Sequence, residues 1–179
     1  MSITTKQGDE GFSRLFSGEK VLKNSPRLDA YGDIDELVSL LGIARNYVKN
    51  KEAKKDILYI QKSLFVAASE LATTAKKLSR LPQRLDERML SVLDEKRSCL
   101  EAKTKIPKGF IVPASTLSAA YLDYARAVSR RCERKIVTLL KNKTIQNKVL
   151  LIWFNRLSDY LYLLARREEP KSLLVKDNE

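Results

Sequence analysis

The sequence predicts an all-α protein, a five-helix bundle with an irregular N-terminal arm. Three observations predict it. Beyond residue 33 apolar residues recur at helical spacing. Glycine and proline are scarce, at 6 and 5 of 179 residues. Short polar links separate the periodic stretches, as they do between neighbours in a bundle. At this length, with 44% hydrophobic residues, one domain can bury a core without disulfides or a structural metal.

Residues 1–33 form the arm, with Gly8, Gly11 and Gly18 and no helical stripe. Composition leaves it as either a frayed terminus or a ligand-binding loop. The first helix is predicted over 34–50, from Ile34, Leu37, Leu41 and Ala44. A second over 54–74 carries Ile57, Ile60, Leu64, Ala68 and Leu71, and the segment 76–83 with Pro82 ends that pattern. The third, over 86–102, opens on acids that suit a positive helix end. An extended link over 103–113 leads to the fourth, capped by Ser115 or Thr116 and reaching 141. After a break at 142–144 the fifth covers 145–167, and Pro170 opens a polar tail over 170–179. The bundle is thus a single domain over 34–169.

Composition narrows the chemistry. Cys99 and Cys132 lie in helical patterns without a CxxC or histidine companion, which makes packing their expected role and a protein-built metal site unexpected. The sequence contains no histidine, which removes the usual general base and the triads built on it. An enzyme of this composition would rely on positioning and charge neutralisation. The net charge of +12 favours polyanions without choosing among nucleic acid, a membrane surface and a nucleotide polyphosphate. The N-terminus lacks a secretory layout, and Val149 to Phe154, the longest apolar run, is too short to span a bilayer. A soluble, cytoplasmic protein is expected.

The fourth helix carries the most informative pattern. At about 100° per residue, Leu117, Tyr121, Tyr124, Val128, Cys132 and Leu139 share one side and are expected in the core. Asp123, Arg126, Arg130, Glu133 and Arg134 gather opposite, with Arg131 on a flank. Such a face is either a solvated surface with local ion pairs or a phosphate site. Four arginines in nine residues face one local acid, Glu133, and guanidinium offers a planar fork that fits phosphate oxygens. In the fifth helix Asn155 and Asp159 stand at i,i+4 with Arg156 and Arg166 nearby, beside a stripe of Trp153, Phe154, Leu157, Leu161 and Leu164. Asn155 reads as either a surface residue or an adenine or ribose contact.

Five segments in order resemble the PduO-type ATP:cob(I)alamin adenosyltransferases, the cobalamin adenosyltransferase family. Thr5-Lys6-Gln7-Gly8-Asp9-Glu10-Gly11 is similar to the family's TKTGDxG loop, and Arg27 with Ala30-Tyr31-Gly32-Asp33-Ile34-Asp35-Glu36-Leu37 to its RxxAYGxxDEL segment. Phe110-Ile111-Val112-Pro113 resembles the FxxP lead-in to the fourth helix. Ala125-Arg126 through Arg134 resembles ARxxxRRxER, and Asn155 through Leu161 resembles NRLSDYL. Together they span residues 5 to about 167. Departures occur at Gln7 (usually Thr), Val38 (usually Asn), Ala114-Ser115 (usually two glycines) and Asp123 (commonly His).

The resemblance implies a ferritin-like bundle of the cobalamin adenosyltransferase type, assembled as a homotrimer with active sites between subunits. In that picture the arm folds over Mg-ATP through Thr5, Lys6, Gln7, Gly8, Ser13, Arg14 and Lys23. Arg130, Arg131, Cys132, Glu133, Arg134 and Asn155 complete the ATP site, Glu133 helping to hold the magnesium or the arginines. Asp35 pairs with Arg126 at the corrinoid end, and Phe110 lies against the lower face of the cobalt, in place of a simple core role. A flavoprotein reductase or an adenosylcobalamin-dependent enzyme is the protein partner it implies, with no membrane and no nucleic acid.

The implied reaction is in-line attack of Co(I) on C5′ of ATP with loss of triphosphate. It needs no proton transfer, which agrees with the absence of histidine. The rivals are a basic bundle binding RNA or DNA, a ferritin-like metal protein, a P-loop ATPase, and a family member that binds ATP or corrinoid without catalysis. Aromatics are not interleaved with the arginines, the ExxH motif is missing, and GxxxxGK[ST] is absent, which count against the first three.

Overall fold

The computed structural model describes residues 4, 6, 8–113 and 115–176. Helix starts follow their caps. Ser25 Oγ accepts from the Leu28 amide at 3.5 Å and Pro26 occupies the first turn, so α1 spans Pro26–Tyr47. The apolar stripe placed this start at 34. Residues 26–33 carry little apolar periodicity and include Gly32, so here the Ser-Pro cap is the signal that counts. Asn50 Oδ1 caps α2 (Lys51–Leu71) by accepting from the Glu52 and Ala53 amides. A 3-10 turn over Ala75–Arg80 follows. Asp86 caps α3 (Glu87–Glu101), and Thr116, one of the two residues expected to do so, caps α4 (Leu117–Lys141).

The last helix, α5, spans Val149–Arg167 and starts later than its stripe suggests. The Asn147 amide is committed elsewhere, donating to the Glu70 carboxylate and the Leu85 carbonyl, while its oxygen accepts from the Val149 amide. Two short antiparallel ribbons complete the fold. The arm folds as β1 (Phe12–Arg14) against β2 (Lys20–Leu22). The segment after Phe110, β3 (Ile111–Val112), pairs with β4 (Leu173–Leu174), so the predicted polar tail folds back onto the 103–113 link.

The helices pack in the order α2, α1, α4, α5, α3, with α4 between α1 and α5. Ile34, Leu37, Leu41 and Ala44, with Ile57, Ile60, Leu64 and Leu71, are fully buried, and so is the whole predicted α5 stripe. Trp153 and Phe154 meet edge to face at 5.3 Å. On α4 the expectation is corrected: Leu117 and Tyr124 are 61% and 53% exposed, whereas Asp123 is buried. Contact with two helices shifts the buried arc to Leu122, Ala125, Val128, Cys132, Ile136 and Leu139. Among the described residues no helix is long and apolar enough to cross a membrane.

Two polar groups tie the helix ends together. Glu70, buried, accepts from Arg84 at 2.8 Å, the Leu85 amide at 3.2 Å and Asn147 at 3.0 Å. Arg27 reaches three carbonyls, those of Leu71 (2.5 Å), Thr73 (3.0 Å) and Thr144 (2.6 Å). One planar guanidinium thereby closes the C-terminal end of α2 and the turn after α4, satisfying carbonyls that helix ends leave open. Burial pushes the Arg27 pKa down, countered by Glu19. Lysine cannot reproduce this fork, so Arg27→Lys is expected to lower stability by about 2 kcal/mol, read as a reduced midpoint in urea unfolding followed by circular dichroism.

Candidate functional site

The arm is held by its own small core and by the end of α2. Leu15 is buried, and the Ser17 amide donates to the Ala72 carbonyl at 3.4 Å. Glu19 accepts from Ser17 and from Thr74 at 3.0 Å, and Lys77 reaches both Glu19 (3.0 Å) and the Ser17 carbonyl (2.6 Å). Docked this way, the arm encloses a cleft of about 800 Å³ lined by Lys6, Gly8, Ser13, Arg14, Lys20 and Lys23, with Asp9 and Glu10 at its edge. That volume suits a nucleotide-sized ligand. A Cβ at Gly8 would stand 2.9 Å from Lys23 Nζ, so a side chain there would displace the end of the Lys23 side chain from its present place in the cleft. Gly11 turns the chain at φ +79°, a backbone region side chains disfavour.

On α4 the arginines divide into two kinds. Arg131 Nε donates to Asp33 at 3.0 Å and its Nη2 to Glu36, while Lys135 meets Asp33 at 2.8 Å and Asp29 at 2.7 Å. These acids on α1 hold the Lys135 and Arg131 pKa values up despite some desolvation. Arg126 Nε stands 3.5 Å from Asp123, an ion pair without hydrogen-bond alignment. Arg130 and Arg134 are exposed and form no ion pair among the described residues. Glu133 pairs with no cation there either, and accepts from Asn155 Nδ2 at 3.3 Å, so the expectation that it holds the arginines is not met within the chain. Arg126 and Arg130 line a second cleft, of about 270 Å³, together with Asp159 and Tyr162.

The sequence profile of cobalamin adenosyltransferases matches residues 3–168. The chain belongs to the cobalamin adenosyltransferase family. It is 36% identical to a corrinoid adenosyltransferase of Citrobacter freundii over 93% of this chain and 94% of that one. With a corrinoid adenosyltransferase of Bacillus subtilis the identity is 35%, over 96% of this chain and 89% of that one. It spans about half (50%) of the corrinoid adenosyltransferase PduO of Salmonella typhimurium, at 34% identity. A variant PduO-type ATP:corrinoid adenosyltransferase from Lactobacillus reuteri, solved with cobalamin and ATP, superposes with a TM-score of 0.88 at 32% identity, covering 99% of this chain and 98% of that one.

Within the family motifs the fold brings some expected residues together and separates others. Lys6, Gly8, Ser13, Arg14 and Lys23 line one cleft, and Glu133 meets Asn155; Thr5, Gln7 and Ala114 lie outside the described residues. Asp35 is exposed on α1 and does not pair with Arg126 within the chain, where Asp123 stands 3.5 Å from Arg126 Nε. Arg131 is spent on α1 acids, which argues for a structural role there instead of a nucleotide contact. Cys132 is 1% exposed and packs in the core, so its side chain cannot meet a ligand. Burial first, then the Asp33 charge, pushes its thiol up to about 12. Phe110 is 88% exposed, which rules out core packing within this chain.

Asp123 and Arg166 were not foreseen as partners. Arg166, 5% exposed, donates through Nη2 to Asp123 at 2.5 Å and Glu169 at 3.0 Å. The unusual acid at position 123 was the available signal, since a buried carboxylate requires a cation.

Docking of the arm is expected to depend on pH. Hydrogen bonds from Ser17 and then Lys77 lower the Glu19 carboxyl from its ordinary 4.5 to about 2. A depressed folded pKa contributes stability that is complete above 4.5 and is lost as pH falls towards 2. Hydrogen exchange at the Ser17 and Gly18 amides should therefore accelerate across that window beyond its intrinsic trend, and Glu19→Gln should abolish the step.

Proposed function

We propose that the protein moves the 5′-deoxyadenosyl group of ATP onto the cobalt of a corrinoid and releases triphosphate, at a site completed between copies of a homotrimer. One observation carries the assignment of roles: Arg126 and Arg131 are answered by carboxylates, while Arg130 and Arg134 stand exposed without ion pairs among the described residues. Unanswered guanidinium groups one helical turn apart are suited to a polyanion.

The reaction places charge where these residues stand. The Co(I) electron pair forms the new bond to C5′, the C5′–O bond breaks, and triphosphate leaves with the bonding pair of that C–O bond. Arg130, Arg134 and Lys6 stabilise the leaving group as its charge grows, and no proton changes place. Arg14 and Lys23 hold the nucleotide from the arm, with Ser13 and the Gly8 backbone allowing close approach. Among the described residues no group of three or more His, Cys, Asp or Glu could hold a metal ion by itself. This donor set fits magnesium carried in by ATP, because magnesium binds through one or two carboxylates plus substrate phosphates. Glu133, which pairs with no cation among the described residues, is the carboxylate offered for it, and the ion would supply further neutralisation of the triphosphate.

Support for the trimer comes from the divided site. The arm cleft and the arginine cleft share no lining residue, so one chain presents two partial sites. Ile43 and Tyr47 on α1 and Leu117 and Tyr124 on α4 are exposed apolar residues suited to covering by another copy. Across such a boundary, exposed Asp35 of one copy would meet Arg126 of the next at the corrinoid end. Phe110 would present its ring to the lower face of the corrinoid, excluding an axial ligand and easing reduction to Co(I). The cytoplasm, where ATP is plentiful, is the location that fits.

Mixing the protein with Mg-ATP and chemically reduced cobalamin should give the adenosylcobalamin spectrum; no conversion above the protein-free control would refute the activity. Arg130→Ala should lower kcat about 100-fold or more with the helical circular dichroism unchanged, and wild-type turnover would reassign the clamp. Phe110→Ala should impair reaction from Co(II) under a weak reductant more than from pre-reduced Co(I), whereas equal losses would leave Phe110 a mere contact residue.

A further inference from the structure

A third cleft, of about 540 Å³, opens where the 103–108 link meets the chain after α5. Lys103, Lys105, Lys108, Arg166, Arg167 and Lys171 contribute to its wall. Glu169, the acid in that wall, is already engaged by Arg166 at 3.0 Å and Ser172 at 2.9 Å. The four lysines and Arg167 form no ion pair among the described residues. Like charges gathered without counter-charges repel one another, and an anion between them relieves that repulsion. Arg166 lies beneath this wall: its Nη2 is satisfied by Asp123 and Glu169 and its guanidinium stacks 5.0 Å from the Tyr162 ring centroid, so it adds charge to the cleft without offering it a donor.

The cleft adjoins the corrinoid end. Lys108 stands two residues before Phe110. Leu174 lines the cleft and pairs with Ile111, and the Val175 amide donates to the Phe110 carbonyl at 2.9 Å. The β3–β4 clasp is thus both a wall of the cleft and the mount of Phe110.

We propose that this cleft binds a phosphate group, and that in turnover it holds the phosphodiester of the corrinoid's nucleotide tail. The assignment rests on the corrinoid reading above. Amide side arms of a corrinoid are neutral, and the phosphodiester joining ring to lower base is the anionic group of cobalamin. When Phe110 keeps the base off the cobalt, the tail is released on the Phe110 side, and a basic cleft beside that residue retains it. The cleft therefore favours corrinoids that carry a complete nucleotide tail and helps to hold the base displaced.

The test compares cobalamin with cobinamide, which lacks the phosphodiester and base. Each Co(II) corrinoid is titrated spectroscopically into Mg-ATP-loaded wild-type protein and into a Lys105→Glu, Lys108→Glu, Lys171→Glu variant whose fold is checked by circular dichroism. Cobalamin affinity should fall about tenfold while cobinamide affinity stays within about twofold, and in wild-type protein added salt should weaken cobalamin more than cobinamide. Equal effects on the two corrinoids would overturn the proposal. Inorganic phosphate is expected to compete with cobalamin and to spare cobinamide. If phosphate binds in a lysine-dependent way but the corrinoids are not distinguished, the cleft serves free phosphate and the tail assignment fails. Should the charge reversals unfold the protein, Lys105→Gln with Lys108→Gln replaces them, with the same direction expected. Turnover of cobinamide by wild-type protein separates the two ideas: no turnover of either corrinoid sinks the adenosyl transfer, while intact cobinamide turnover with no discrimination sinks only the cleft.

Discussion

Asp33 sits between Arg131 and Lys135, 3.0 Å from one and 2.8 Å from the other, and joins α1 to α4 over the bundle's buried stripe. Asp29 and Glu36 extend the contact by a turn in each direction. Each partly exposed pair contributes modestly alone, but together they set how far α4 is rotated about its axis. That rotation decides which cations are consumed by the fold and which remain. Had α4 turned by one residue, Arg130 would be the side chain facing the acids.

α4 thus links the two chemical ends of the molecule. One end is the arm, fastened to α2 through Glu19, Thr74 and Lys77, with Arg27 closing the helix ends beneath it. At the other, the 103–113 link and the returning chain end pair as β3 and β4 next to Phe110, and Asp123 of α4 meets Arg166 of α5. A protein without histidine can serve a displacement that moves no proton.

Much of this was readable before any coordinates. Apart from the half-buried Ala68, the stripes through Ile34, Ile57 and Trp153 are buried as their spacing required, and Thr116, one of the two expected caps, caps α4. Composition left the arm as a frayed terminus or a ligand-binding loop; only the resemblance of residues 5–11 to the TKTGDxG loop pointed to a shared site there. What escaped was long-range pairing. Periodicity places Arg131 on a flank but carries no information on acids nearly a hundred residues earlier. It also cannot say that α4 has a helix on each side, which is why Leu117 and Tyr124 were assigned inward and emerged outward. Ser25-Pro26 was local information, outweighed by a weak stripe. The β3–β4 pairing had no local signal, since two-residue strands lack a period.

Cys132 stands inside the arginine run yet faces away from it, with a thiol held protonated well above neutral pH. Thiolates, not thiols, are nucleophiles and metal ligands. The C5′ carbon of ATP is an electrophile, and a corrinoid cobalt accepts sulfur ligands. A reactive sulfur at this position would compete with cobalt for the adenosyl group and with the substrate's own chemistry for the metal. Turning one residue of the arginine-rich segment into the core, beside the negative charge of Asp33, keeps its sulfur out of both reactions.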